Sequence, residues 1–391
     1  MDTNSKYYYF MDCVKGVGPK TVKQLLSVLD GPKEAYEADF EQLAKIIGET
    51  KATEWCNLRE HFDLEYEFAK LMKRGINFCC FLESDYPERL KRIPDPPLAL
   101  YVKGSLPKES MRSVAVIGAR RCSSYGKTVA LEVGKALGMA GIQVISGMAM
   151  GIDGIAQEGA ISAGGSTFGV LGCGVDICYP ERHKDLYERM QNLGGVISSY
   201  KPGTMPKPEQ FPPRNRIISG LSDGVVVVEA GEKSGTLITV DMALEQGREI
   251  YCVPGRITDR LSGGCNRLID VGAHIVLSVD ALLQKIQENS SLGAQFCGEA
   301  DVALGQTKIQ NFDMQKCSMD KIYKSMTNRE KEVLKMLDVY PVSGEQIYLQ
   351  LSAQSLYNWT FPEVLQTLWE LVCKGLADNV NGSLYTKKSS Y

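Results

Sequence analysis

Apolar positions recur along this chain with two different periods, and the change of period divides it. Up to about Phe81 the spacing is helical throughout: Val22, Leu25, Leu26 and Leu29 share one helix face after the turn Lys15-Gly16-Val17-Gly18-Pro19-Lys20. Between about Met111 and Ile286, short apolar runs alternate with amphipathic segments. Residues 114–117, VAVI, are wholly apolar, as a strand buried on both faces requires. The segment after them places Val129, Ala130, Val133, Ala136, Leu137 and Ala140 at helical spacing. The alternation returns with short strand-like runs at residues 143–146, 167–171, 225–228 and 250–253, each ending in a loop that contains glycine. Strands alternating with helices predict an α/β fold: a doubly wound, mainly parallel sheet covered by helices on both faces. The ligand of such a sheet sits beyond the carboxyl ends of its strands, which is where all these glycine loops fall.

The flanks read differently. Asp85-Tyr86-Pro87 and Pro94-Asp95-Pro96-Pro97 mark an extended connector, since each proline disfavours helix at the residue before it, and residues 98–102, LALYV, follow as a short strand. From about Gln287 to Met326 the chain turns polar and loses its periodicity, which reads as a linker. Beyond it Thr327 and Glu330 have capping-box spacing, and Val333, Leu334 and Leu337 line the inner face of the helix they open. Further helices are expected over residues 344–351 and 362–373, then a hairpin turning at Asn381-Gly382. The expected organisation is an N-terminal helical domain (1–85), a connector and edge strand (86–110), the sheet domain (111–286), a linker (287–326) and a C-terminal domain (327–391). Three helices and a hairpin suit a winged helix, and a small helical dimerisation module equally.

Composition narrows the function. Among 391 residues, 44 Lys and Arg face 47 Asp and Glu, so no global basic field exists and any nucleic acid must be held by a local patch. The 12 cysteines are scattered; the one close pair is Cys79-Cys80, with no CxxC spacing and no histidine nearby to complete a zinc site. They read as reduced core thiols. The N-terminus lacks the pattern of a cleaved leader and no run approaches the length of a membrane span, so a cytoplasmic protein without membrane contact is expected.

The chemistry concentrates on the first glycine loop, Gly118-Ala119-Arg120-Arg121. A glycine turn before a helix offers backbone N–H groups to an anion, and two adjacent arginines add fixed positive charge, so a phosphate-bearing ligand is expected. Surface arginines usually pair with carboxylates, but their place at the ligand edge favours binding. The dinucleotide fingerprint G-x-G-x-x-G fails here, and Gly126-Lys127-Thr128 mimics only the tail of a Walker sequence, because Arg121 stands where its first glycine belongs. Lys184 and Tyr187, one helical turn apart, offer a phosphate contact beside a stacking face, or an ordinary amphipathic surface. The turn at Gly16-Val17-Gly18 resembles a helix-hairpin-helix, or is a glycine-pinned turn within a helical domain. Glu229 reads as a helix-capping acid, and His274 as a satisfied core histidine. Three histidines in unrelated segments assemble no nucleophile, base and oxyanion set, so no catalytic site is expected.

Six segments then occur in order: VIGARRCSSYG from Val116, SGMAMGID from Ser146, GVLGCGVDICYP from Gly169, FPPRNRIISGLS from Phe211, VVVVEAGEKSGTLIT from Val225 and VPG from Val253. Together they resemble the DNA-processing protein A (DprA/Smf) family. The resemblance implies a Rossmann-like sheet domain with an N-terminal helix-hairpin-helix or SAM-like domain and a C-terminal winged helix. It also implies a homodimer that protects incoming single-stranded DNA in natural transformation and loads the strand-exchange recombinase (RecA) onto it, without a cofactor. The positions that match are Gly118, Arg120, Ser146, Gly147, Arg214, Asn215, Arg216, Ser234, Gly235 and Thr236. On this reading Arg120, Arg214 and Arg216 form a positive pocket, and the amides of Gly147 and Gly235 take further phosphates. Met150 stands where relatives usually have Arg, and Gln157 and Ser199 where they often have His and Glu. The alternative is an enzyme resembling the nucleotide phosphoribohydrolases, whose paired glycines are missing from residues 232–236 and whose only candidate acid here is Glu245.

Overall fold

The computed structural model describes residues 4–293, 326–337, 342–354, 357–374, 376–379 and 384–387. The chain forms two compact units, residues 1–286 and 287–391. The first is built on one nine-stranded sheet: β1 (Asn77–Cys80), β2 (Ala99–Gly104), β3 (Ser113–Ile117), β4 (Gln143–Ser146), β5 (Thr167–Val170), β6 (Gly194–Ser198), β7 (Gly224–Val227), β8 (Glu249–Cys252) and β9 (His274–Ile275). Its order is β1-β2-β6-β5-β4-β3-β7-β8-β9. All neighbours from β6 to β9 pair in parallel, whereas β2 joins β6, and β1 joins β2, antiparallel.

Strand β3 lies in the interior of the sheet, between β4 and β7, for the reason its composition gives. Val114 and Val116 enter the core on one face, with α8 (Ser124–Met139), α9 (Ile152–Ser162) and α14 (Val279–Gly293). Ala115 and Ile117 enter the core on the other, with α10 (Lys184–Leu193), α11 (Phe211–Gly220) and α12 (Thr236–Glu245). Period-2 alternation with both faces buried needs apolar residues at every position. Burying each Val or Ile contributes about 1.5–3 kcal/mol.

Six helices precede the sheet: α1 (Ser5–Cys13), α2 (Pro19–Leu26), α3 (Pro32–Glu37), α4 (Phe40–Ile47), α5 (Glu49–His61) and α6 (Leu64–Lys73). They close over an aromatic core in which Phe10 meets Trp55, Tyr36 and Phe62 edge to face. The helical reading stops short of Phe81, however. Asn77–Cys80 is a strand, because its apolar side chains complete the sheet against Ala99–Val102. The strand around Leu98 is consequently not the edge of the sheet; β1 is. Strand β6 was hidden in the sequence by Gly194 and Gly195. The short helices α7 (Glu88–Lys91) and α13 (Gly263–Asp270) complete this unit. Helix α14 runs to Gly293, so the helical chain continues past the point where the polar stretch suggests a linker.

His274 is not a core residue. It sits half-exposed on the far edge strand, its ring stacked on Tyr251 and its Nε2 2.9 Å from the Glu249 carboxylate.

The second unit contains α15 (Asn328–Met336), α16 (Gly344–Gln354) and α17 (Phe361–Cys373), with a three-stranded sheet of β10 (Val342–Ser343), β12 (Leu384–Lys387) and β11 (Ala377–Asn379) in that order. Thr327 and Glu330 form the expected reciprocal capping box. Val333, Ile347, Leu351, Val364, Leu368 and Tyr385 fill its core. The expected turn at Asn381-Gly382 lies outside the described residues.

Candidate functional site

A pocket open to solvent lies over the carboxyl ends of β3, β4 and β5, with about 430 Å³ of space within it and at its mouth. Arg120 comes to it from the loop after β3, Gly147 and Met150 from the loop after β4, Cys173 and Tyr179 from the segment after β5, and Phe211 and Arg214 from the start of α11. Chain reversals at parallel strand ends put these residues side by side although up to 94 positions separate them in sequence.

The loop carrying Arg120 is held by its backbone. Ala119 donates its N–H to the Glu229 carbonyl at 2.8 Å, and its own carbonyl accepts from Ile152 at 3.3 Å. Gly151, at φ 83°, allows this approach, since a side chain there would overlap the carbonyls of Ala119 and Arg120. The Arg120 side chain itself is exposed and, among the described residues, makes no hydrogen bond or ion pair. Its guanidinium lies over the Phe211 ring, 5.4 Å from the centroid. Phe211 in turn stacks on Tyr179, with centroids 5.7 Å apart and planes 30° from parallel. An unneutralised cation therefore sits on an aromatic shelf that is open to solvent at Tyr179, 42% exposed. Arg121 is exposed beside it, also without an ion pair among the described residues.

The other candidates divide. Arg214 reaches the pocket but is 4% exposed, and its guanidinium donates to the carbonyls of Gly147, at 2.9 Å, and Val170, while its Nε donates to Asn215 at 3.1 Å. Burial lowers it to about 10, so it stays charged at neutral pH, with the buried Asp153 acting in the opposite direction. Arg214 is thus a positively charged strut under the pocket floor. Gly147 gives its N–H to Asp153 at 3.1 Å and cannot offer it to a ligand. The Ser146 hydroxyl is spent on the Val116 carbonyl at 2.6 Å. Gly118 lies against Ile152 and the Glu229 carbonyl, where only a glycine fits.

Arg216 does not join Arg120. Two residues on from Arg214, a rotation of roughly 200° along a helix, its guanidinium is engaged by the carboxylate and carbonyl of Asp95. Tyr187 overturns both readings offered for it: it is buried, with its hydroxyl donating to the Val175 carbonyl at 2.5 Å. Lys184 is exposed at the start of α10 and is not among the residues lining this pocket. The Ser234-Gly235-Thr236 turn opens α12 on the other side of β3, where the Ser234 hydroxyl accepts the Thr236 N–H at 3.2 Å. Glu245 lies on the last turn of α12, roughly 14 Å along the helix from Thr236. It therefore supplies no acid to that loop.

Phe211 and Tyr179 were missed by the sequence reading, although both stand in the quoted motifs. Of the three departures, Met150 lies at the pocket, 37% exposed, whereas Gln157 is buried and donates to the Phe168 carbonyl at 3.0 Å. Cys173 lines the pocket as a thiol, pushed up to about 11 by burial, and supplies no thiolate at neutral pH. No cluster of metal-binding side chains occurs among the described residues.

The family model for DNA recombination-mediator protein A matches residues 77–287, more than half of the chain. The chain belongs to that family. Within it, DNA processing protein DprA of Bacillus subtilis is 40% identical over 223 residues, covering 57% of this chain and 75% of that protein. DNA processing protein DprA of Streptococcus pneumoniae is 37% identical over 272 residues, covering 68% of this chain and 94% of that protein. The solved structure of the Streptococcus pneumoniae protein aligns with a TM-score of 0.63 at 34% identity, covering 71% of this chain and 97% of that one. The matched segment starts at β1, the strand that helical periodicity concealed. Family members are mediators of recombination and not enzymes, which removes the phosphoribohydrolase alternative. Among the described residues no helix is long and apolar enough to cross a membrane.

Proposed function

We propose that this chain binds single-stranded DNA at the pocket over β3, β4 and β5, as a mediator that protects the strand and hands it to a strand-exchange recombinase such as RecA. The observation that carries the reading is Arg120, an exposed cation without an ion-pair partner among the described residues, laid on the Phe211 ring, which in turn stacks on the half-exposed Tyr179. A guanidinium takes phosphate, and an open aromatic face takes a base of any identity, which together suit a single strand better than a duplex whose bases are already stacked. Arg121 extends the cationic edge, and Arg214 adds positive charge beneath it. The Ser234-Gly235-Thr236 turn and Lys184 lie outside this pocket and are second-rank contacts for a longer strand. A cytoplasmic homodimer acting in natural transformation, with a winged helix as its C-terminal domain, completes the proposal.

The test is a titration of single-stranded against double-stranded oligonucleotides over a range of salt, followed by recombinase filament assembly on strands already coated with a single-strand binding protein. Preference for the single strand and faster filament assembly are the expected results. Equal affinity for both forms, or a pocket variant Arg120→Ala that binds like wild type, would refute the assignment.

A further inference from the structure

A doubly wound sheet takes phosphate-bearing ligands at its switch point, where the strand order reverses. Here that point lies between β3 and β7. It is filled from within the chain. Glu229, two residues after β7, is 4% exposed, and its carboxylate accepts the Ser123 backbone N–H at 2.9 Å and the Ser123 hydroxyl. Ser123 is the N-cap of the 16-residue helix α8, and its hydroxyl also accepts the Gly126 N–H at 3.0 Å. The carboxylate thus occupies the place at a helix N-terminus that favours an anion. Gly126 makes the room, because a Cβ there would overlap the Glu229 carboxylate. The Ala119 N–H on the Glu229 carbonyl ties the two loops together on the backbone as well.

The geometry points to Glu229 as the residue that decides which class of ligand this sheet accepts: its carboxylate stands in for a phosphate at the switch point and closes that position to free nucleotides. The Arg120 side of β3 is by contrast an open shelf and not an enclosed cradle of the kind that holds a mononucleotide. The inference goes beyond the strand-binding proposal and does not depend on it.

The full chain with Glu229→Ala tests it, with inorganic phosphate as the probe and chloride at equal ionic strength as the reference. Wild type should show no saturable rise of melting temperature with phosphate. The variant should melt lower in chloride and recover in phosphate in a saturable manner, because a ligand that binds only the folded state stabilises it. The double variant Gly126→Ala with Glu229→Ala is the control: its methyl group fills the vacated space, so it should fold without responding to phosphate. A Glu229→Ala protein that folds yet ignores phosphate, or that stays unfolded in phosphate and chloride alike, reduces Glu229 to a structural cap and overturns the inference. A phosphate response that survives in the double variant overturns it too, by placing the anion elsewhere. Oligonucleotide affinity, measured on the same proteins, reports separately on the strand-binding proposal.

Discussion

The Arg120 guanidinium lies over the Phe211 ring with its central carbon 5.4 Å from the ring centre. This contact orients a cation without neutralising it, since an aromatic face withdraws none of its charge. Replacing Arg120 by Ala should therefore weaken binding of all single strands alike and reduce the slope of log affinity against log salt by about 0.7. Arg120→Lys should keep the slope, because charge alone sets it, while losing the planar stacking. Fluorescence anisotropy at several salt concentrations reads both effects. An unchanged slope for Arg120→Ala would make the residue structural.

On the strand-binding proposal Phe211 supplies the complementary, salt-independent part. Its ring meets Tyr179 and both guanidinium groups, of Arg120 and of Arg214. Phe211→Ala should cost about 1–3 kcal/mol of strand affinity with the salt slope intact. Phe211→Tyr should retain most of it. A thermal melt of each variant separates loss of the shelf from loss of the fold.

Arg216 should behave in the opposite way to Arg120. Its guanidinium is held by Asp95, so Arg216→Ala should leave the salt slope of strand binding unchanged. It should instead lower stability, by about 0.2–1 kcal/mol, since the Asp95 carboxylate of the pair is largely exposed to solvent. Asp95→Ala should reproduce part of that loss in a denaturant melt. A drop in salt slope for Arg216→Ala would bring the residue back into the strand-binding surface.

Glu132 on α8 introduces a pH dependence remote from the pocket. One of its carboxylate oxygens is buried without a hydrogen-bond partner among the described residues, and burial raises the group from the usual 4.5 to about 7. The folded state then holds a proton that the unfolded chain has released, so stability falls as pH rises from about 4.5 to about 7. Glu132→Gln keeps the shape and removes the charge. It should be more stable than wild type at pH 8, by on the order of 1 kcal/mol after discounting for partial exposure, with the gain vanishing near pH 4. Melting temperatures of both proteins across that range provide the check.

The central sheet was legible because its strands are buried on both faces, and a strand in that position has no polar option. Residues 114–117 and 225–228 could hardly be read otherwise. Asn77–Cys80 was not legible, since four residues beside a helical stretch carry too little period to separate strand from helix, and β6 begins with two glycines that have no side chain to pattern. The capping box at Thr327 was readable because its partners lie three residues apart, within the reach of local geometry.

What the sequence by itself determined is the alternation of strands and helices, the carboxyl edge on which the glycine loops gather, and membership of a family whose motifs occur in order. These are local or ordered properties, set by side-chain period and turn chemistry. What only the tertiary structure decided is which polar groups remain for a ligand. Arg214 and Arg216 look equivalent in the chain, yet one props up the Gly147 and Val170 carbonyls and the other is held by Asp95. Tyr187, spaced like a surface aromatic, ends in the core with its hydroxyl satisfied, and Glu229 fills the switch point. Each partner lies 12 to 121 residues away, and a buried charge or hydroxyl must be paired wherever the fold brings a partner to it. Arg120 stays unneutralised because, on its exposed loop, the fold brings it an aromatic ring and, among the described residues, no carboxylate.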